Sequence, residues 1–100
     1  VDSAVLVTSF ELKRIYNIVQ KVNKNKLWSA MIGQYIINEK GQVELIPRFG
    51  NCTVLFGDDK NIEQKIKRLD VFYFDVLKKV GWDYYKVINI MYKNQVVCLK

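Results

Sequence analysis

The feature that most constrains the fold of this chain is a long amphipathic pattern between Lys60 and Val80. Its apolar residues recur every three or four positions, the spacing of one face of an α-helix. They are Ile62, Ile66, Leu69, Phe72, Tyr73, Val76, Leu77 and Val80. The pattern predicts Asp58 or Asp59 as the N-cap and Gly81 at the C′ position. An apolar stripe of about six turns needs a partner surface, and a sheet built from the flanking strands is the expected one.

A shorter helix is predicted near the start of the chain. Ser9 is its expected N-cap, and the helix runs from Phe10 to about Asn23, where the polar run NKNK ends it. Its apolar face carries Leu12, Ile15, Val19 and Val22.

Three strands are predicted between the two helices. The β-rich run from Leu27 to Ile37, the turn after it and the alternating segment Gln42 to Ile46 are typical of a hairpin. Pro47 has no N–H to give to a ladder and should end the second strand. Gly50-Asn51 then turns the chain into a third strand, from Cys52 to Phe56.

The last twenty residues predict a terminal β-hairpin. Two runs rich in β-branched and apolar residues, Val87 to Tyr92 and Gln95 to Leu99, flank Lys93-Asn94, which has the character of a tight turn. We expect the outermost strand either to remain an exposed edge or to be completed by another chain.

These elements predict an α+β fold in the order α-β-β-β-α-β-β. The expected architecture is a mostly antiparallel sheet of about five strands with two helices, the long helix packed on the sheet. A chain of 100 residues with 50% hydrophobic content builds one core. Residues 1–100 are therefore expected to form a single domain.

The net charge of +6 raises the question of a nucleic-acid partner. One cluster of basic residues, between Lys13 and Lys26, has no acidic residue within it. The lysines of the long helix, however, alternate with acids, and Glu63/Lys67 and Asp75/Lys79 have the i,i+4 spacing of an exposed helix face. We favour a solvated helix face. The alternative is a basic, aromatic-rich module that binds single-stranded nucleic acid, with residues 72–74 and 82–85 as stacking platforms. Core and hairpin packing explains the same aromatic residues more simply.

The residues that usually carry catalysis or bind metals are scarce. The chain has no histidine, no glycine-rich phosphate loop and no recognisable pair of carboxylates, so we expect no enzymatic activity and no cofactor. Two cysteines alone cannot complete a tetrahedral zinc shell, so no metal site is expected. Cys52 and Cys98 are predicted to be buried free thiols, and they could form a disulfide only if their strands were neighbours.

A set of motifs extends over most of the chain. They are Trp28 with Ile32–Ile36, Gly41–Gly50, the strand that ends at Gly57, Lys65–Leu69 and Tyr85–Val97. Together they resemble the bacterial cell-division family FtsQ/DivIB, specifically its C-terminal extracytoplasmic β domain. Ile88-Asn89-Ile90-Met91-Tyr92 stands where the family tail has roughly Ile-Asp-Leu-Arg-Tyr, so Asn89 and Met91 depart from the usual Asp and Arg.

The resemblance implies a non-enzymatic scaffold of the divisome. It implies a single-pass inner-membrane protein whose membrane helix and POTRA domain precede this fragment, with this domain on the periplasmic side. The implied partners are FtsB and FtsL, with FtsB added as a strand to the last strand by β-augmentation. No nucleic-acid partner is implied, and we expect the fragment to be monomeric. The expected partner-binding residues are Tyr92, Asn94, Gln95, Val96, Val97 and Leu99.

Overall fold

A computed structural model describes residues 9–92 and 95–100, and for residues 9–11 the backbone only. Within the described residues, two helices precede three strands, and a long helix then precedes two more strands. The helices before the sheet are α1 (Ser9–Asn23) and α2 (Lys26–Met31). The strands are β1 (Ile32–Ile37), β2 (Val43–Pro47), β3 (Thr53–Gly57), β4 (Val87–Asn89) and β5 (Val97–Leu99). Between β3 and β4 the chain forms the long helix, which consists of α3 (Ile62–Phe72), a π-helical stretch (Tyr73–Leu77) and α4 (Lys78–Val80).

The five strands form one sheet in the order β1-β2-β3-β4-β5. Neighbouring strands are antiparallel except for β3 and β4, which are parallel and are connected by the long helix. A parallel pair needs such a crossover, because a tight turn can join only antiparallel strands. The prediction of an α+β fold with a mostly antiparallel sheet of about five strands is confirmed.

One expected strand is partly a helix. The run from Leu27 to Ile37 was predicted to be extended throughout, but its first part lies in α2 and only Ile32–Ile37 forms β1. Asn25 is the N-cap of α2, and its side-chain oxygen accepts hydrogen bonds from the N–H groups of Leu27 and Trp28 at 3.0 and 3.2 Å. The cap and the burial of the Trp28 indole in the core outweigh the β-propensity of this run.

The long helix is confirmed, but it does not begin as predicted. Its N-cap is Asn61, with a left-handed φ of 56°, and not Asp58 or Asp59. The Asp58 carboxylate instead accepts hydrogen bonds from the Lys60 N–H and the Lys65 ammonium group, each at 3.1 Å. Burial alone would raise the pKa of Asp58, but these bonds and the two lysine charges outweigh it and lower the pKa.

The long helix ends before Gly81, but Gly81 is its C-cap residue and not the predicted C′ residue, with a φ of 90° and an N–H that donates to the Leu77 carbonyl at 2.7 Å. The π-helical stretch before it was not predicted. Each π turn holds one extra residue, so the apolar face rotates relative to a regular α-helix. Leu77 is therefore fully buried whereas Val80, predicted on the same face, is exposed.

The core occupies one face of the sheet. Buried residues alternate along the central strands, which leaves the intervening side chains on an open face. The core residues in the strands are Ile32, Val43, Leu45, Val54, Phe56 and Ile88, and they belong to one cluster with Ile90, which follows β4, and with helix residues that include Ile18, Val22, Trp28, Ile66 and Leu69.

Candidate protein-docking edge

The last strand, β5, lies at one end of the sheet. It pairs with β4 alone, with Val87 opposite Leu99, Ile88 opposite Cys98 and Asn89 opposite Val97. Within residues 9–92 and 95–100, no strand occupies its other side. We call this outer side of β5 the free edge. The predicted turn at Lys93-Asn94, and with it the predicted site residue Asn94, lies outside the described residues.

The hydrogen bonds around β4 show which backbone groups point to the free edge. The Ile90 N–H donates to the Leu55 carbonyl of β3 at 3.1 Å. Because consecutive residues of a strand direct their backbone groups to opposite sides, those of Asn89 point to β5, toward its partner Val97. The Leu99 carbonyl likewise points to β4, since it accepts from the Lys86 N–H at 2.7 Å.

The backbone of β5 therefore alternates between groups that point to β4 and groups that point away from it. Val97 and Leu99 use their N–H and C=O groups within the sheet, so those of Cys98 point to the free edge. If the alternation is continued by one residue, the N–H and C=O groups of Val96, which directly precedes β5, lie on the same side. A second chain in extended conformation can bond to these groups. Sequence reasoning did not select Cys98, because its partner-facing groups are in the main chain and their direction depends on the register with β4.

The side chains of β5 alternate between the two faces of the sheet. Val97 and Leu99 lie on the open face and are 39% and 58% exposed. Cys98 and Val96 are partly buried and pack against the core. Gln95 is exposed. The structure thus brings four of the predicted site residues, Gln95, Val96, Val97 and Leu99, to one edge.

Tyr92 is exposed. It borders an open cleft of about 700 Å³ at the opposite end of β4 from Val87. The other lining side chains come from the open face and the β1–β2 turn, and they include Glu44, Leu55, Asn89 and Met91. The β4 strand ends at Asn89, earlier than predicted, and the Asn89 side chain accepts a hydrogen bond from the Met91 N–H at 2.9 Å.

An apolar groove of about 400 Å³ separates β5 from the long helix. Its lining combines aliphatic and aromatic side chains with a few charges at the rim. These residues are Lys67, Arg68, Val71, Phe72, Asp75, Val76, Gln95 and Val96. The groove adjoins the core side of β5, so a chain added at the free edge would direct alternate side chains toward it.

The other end of the sheet is less regular. The strand β1 pairs with β2, and their register shifts between Ile32 and Gln34. Such irregularities are one means by which edge strands avoid pairing with other chains. The free edge of β5 is therefore the better candidate for docking.

The two thiols near this edge are free. Cys52 directly precedes β3 and Cys98 lies in β5, so β4 separates their strands and the condition for a disulfide is not met. Burial, with a smaller contribution from Cys98, raises the pKa of the Cys52 thiol to about 11. Burial also raises the pKa of Cys98. Both groups remain protonated at neutral pH and are poor nucleophiles.

The aromatic residues considered as stacking platforms mostly pack against one another. Trp28 contacts the Tyr73 and Trp82 rings edge-on at centroid distances of 5.7 and 6.1 Å, and its indole N–H donates to the Asp70 carboxylate. Phe72 lies 5.9 Å from Tyr85. These contacts give the cluster a structural role.

The described residues contain no group of histidine, cysteine and carboxylate side chains arranged to hold a metal ion. None of the described helices is long and apolar enough to span a membrane. The chemistry of the free edge is that of backbone donors and acceptors beside apolar side chains, which is suited to binding an extended polypeptide.

The fold is that of an α+β domain in which β5 is an edge strand of the described sheet. The chain belongs to the FtsQ/DivIB, C-terminal related family, whose model matches residues 3–99. This confirms the family resemblance seen in the sequence. The family comprises non-enzymatic cell-division scaffolds associated with the membrane at the division site. No curated protein and no solved structure matches the chain.

Proposed function

We propose that this domain docks partner proteins of the bacterial divisome on its extracytoplasmic side by adding a partner strand to β5. The observation that carries the proposal is the free edge, with the backbone groups of Val96 and Cys98 directed away from the sheet. The expected partners are proteins of the FtsB and FtsL type. The remainder of the protein, with its membrane helix and POTRA domain, would place this edge at the division site.

Affinity in this mode comes mainly from the main-chain hydrogen bonds between β5 and the incoming strand. Selectivity comes from side chains that alternate between two different surfaces. On the open face the incoming residues would lie beside Val97 and Leu99, and on the other face beside Val96 and the apolar groove. An incoming segment with apolar residues at alternate positions fits both surfaces.

The remaining predicted residues would set the register of the incoming strand. Tyr92 and Gln95, on either side of residues 93–94 in the sequence, are both exposed. Asn94 belongs to the same proposal. Substitution of Tyr92 by Ala is expected to weaken binding without a change in stability, because its side chain is half exposed.

Calorimetric titration with a synthetic peptide from the FtsB-type protein tests the proposal. A proline scan along β5 supplies the matched variants, since proline removes one N–H at a time. Cys98→Pro and Val96→Pro remove outward N–H groups and should abolish peptide binding with a modest loss of stability. Val97→Pro removes an N–H that faces β4 and should lower the unfolding midpoint much more.

Two results would contradict the proposal. The first is the absence of any heat at high micromolar peptide concentration with the unmodified domain. The second is an unchanged peptide affinity in Val96→Pro and Cys98→Pro when both variants remain folded. A partner strand that binds the free edge would lose the N–H donors of that edge in these variants.

A further inference from the structure

One end of the domain collects residues that are distant in sequence. β2 ends at Pro47, β3 begins at Thr53, β4 begins at Val87 and β5 ends at Leu99, and the strand pairing places all four at the same end of the sheet. We call the segments 48–51, 78–86 and 99–100, which extend from these strand ends, the basic end.

Contacts across these segments hold the basic end together. The Asn51 N–H donates to the Asp83 carboxylate at 3.2 Å, which joins the β2–β3 turn to the segment after the long helix. The Lys100 ammonium group lies 4.4 Å from the centroid of the Tyr84 ring. The Lys86 N–H bond to the Leu99 carbonyl completes the connection. The three segments therefore form one continuous surface.

The charge of this surface is strongly positive. Its cations are Arg48, Lys78, Lys79, Lys86 and Lys100, and its one acidic side chain is Asp83. The Asp83 carboxylate is engaged by the Asn51 N–H. The ion pairs among the described residues, Lys21–Glu63 and Lys65–Asp58, involve none of these cations.

The same surface exposes apolar side chains. Phe49, at the β2–β3 turn, is 57% exposed, and Val80, Tyr84 and Leu99 are also exposed. Clustered lysines beside exposed aromatic and aliphatic side chains match the interface of an anionic bilayer, where cations meet phosphate groups and apolar tips reach the acyl boundary.

The ring contacts argue for lipid over nucleic acid. Base stacking requires open faces of aromatic rings. The Lys100 ammonium group lies over the Tyr84 ring, and Tyr85 meets that ring at 4.9 Å with an interplanar angle of 87°. Trp82 packs on Trp28 and Tyr73. The exposed aliphatic residues gain nothing from stacking but gain from burial at a bilayer surface.

We propose that the basic end docks on an anionic phospholipid surface, with Lys79, Lys86 and Lys100 at the headgroup phosphates and Phe49 at the acyl boundary. This inference is independent of strand addition at β5. Because β5 ends at this surface, docking would orient the free edge so that it extends away from the membrane.

Co-sedimentation with vesicles tests the proposal. The probe is phosphatidylcholine containing about one-third phosphatidylglycerol, with pure phosphatidylcholine as the neutral comparison. The chain should bind only the anionic vesicles, and binding should weaken as salt is added. The triple variant Lys79→Gln, Lys86→Gln, Lys100→Gln should lose about fivefold in affinity for each lysine. Phe49→Ser should lose affinity while retaining the salt dependence.

The matched control is the triple variant Lys13→Gln, Lys24→Gln, Lys40→Gln, which changes the net charge equally on residues outside the basic end. It should keep its affinity within about threefold, since screening limits distant charges. Equal losses in the two triple variants, with both still folded by circular dichroism, would overturn the proposal. So would absence of vesicle binding at low salt, or retention of single-stranded DNA without vesicle binding.

Discussion

Arg68 of the long helix donates a hydrogen bond from its guanidinium group to the main-chain carbonyl of Ile90, across 3.0 Å. Ile90 directly follows β4 and is fully buried, and its own N–H donates to the Leu55 carbonyl of β3. The residue is thus held by the sheet on one side and by the helix on the other. This arrangement stabilises the strand to which β5 is attached.

Replacement of Arg68 by Met should destabilise the domain by about 1–3 kcal/mol, because the buried Ile90 carbonyl would lose its charged donor. Urea denaturation measures this loss. The matched control is Lys67→Met, one residue earlier, where the side chain is exposed and the effect should stay within about 0.5 kcal/mol. Equal midpoints for the two variants would show that the Arg68 bond contributes nothing.

Replacement of Leu69 by Asp should unfold the domain or lower its melting temperature severely. Leu69 is 1% exposed, and an unpaired carboxylate there costs several kcal/mol against a typical total of about 5–15 kcal/mol. Val71→Asp is the control on the same helix, because Val71 is 61% exposed. Thermal melts of the two variants should differ widely. Similar melting temperatures would mean that Leu69 does not face the core.

Replacement of Gly50 by Ala should destabilise the domain more than replacement of Gly81. Both glycines have positive φ, 74° and 90°, so both substitutions carry backbone strain. A Cβ atom at Gly50 would also lie 2.8 Å from the Trp82 Cβ, whereas at Gly81 it would meet nothing within 4 Å. We expect an additional steric cost of about 1–3 kcal/mol at Gly50, measured by urea denaturation. A larger effect at Gly81 would contradict this packing.

Cys52 should resist thiol reagents in the folded domain at pH 8, whereas Cys98, which is less buried, should react first. Ellman's reagent applied to Cys52→Ser and Cys98→Ser with and without urea separates the two rates. Rapid modification of native Cys98→Ser would contradict the burial of Cys52.

The raised pKa of Cys52 also predicts a pH dependence of stability. The folded pKa of about 11 exceeds the ordinary value of 9.0, so the folded state retains the proton more tightly than the unfolded state. The corresponding stability is fully present below pH 9 and is lost as the pH rises through about 11. Cys52→Ala should reduce the alkaline loss of stability, which urea midpoints across this range would measure. An identical alkaline loss in Cys52→Ala would contradict this assignment.

The helical periodicity of residues 60–80 was sufficient to place the long helix, because the pattern is local and many residues contribute to it. Its N-cap at Asn61 was missed because the Asp58 carboxylate accepts a hydrogen bond from the Lys65 ammonium group and does not cap the helix. This contact depends on the folding of the loop between the two residues. The π-helical stretch was missed because no residue type in the sequence marks it.

Local pattern also determined which stretch near the end of the chain would carry strands. β-Branched residues and a polar turn predict strands from their own composition. The same pattern overextended the first strand into α2, where the Asn25 cap and the burial of Trp28 decided the outcome.

The sequence by itself determined the α+β class, the long helix and the terminal edge strand, since each follows from the spacing of apolar residues along one segment. Only the tertiary structure decided that β3 and β4 are parallel. It also decided that the backbone groups of Val96 and Cys98 point to the free edge, whereas those of Val97 and Leu99 point to β4. The alternating pattern of a strand is compatible with two registers. A shift of one residue exchanges the groups that face inward and outward. The choice depends on hydrogen bonds to residues far away in the chain, such as the one between Ile90 and Leu55.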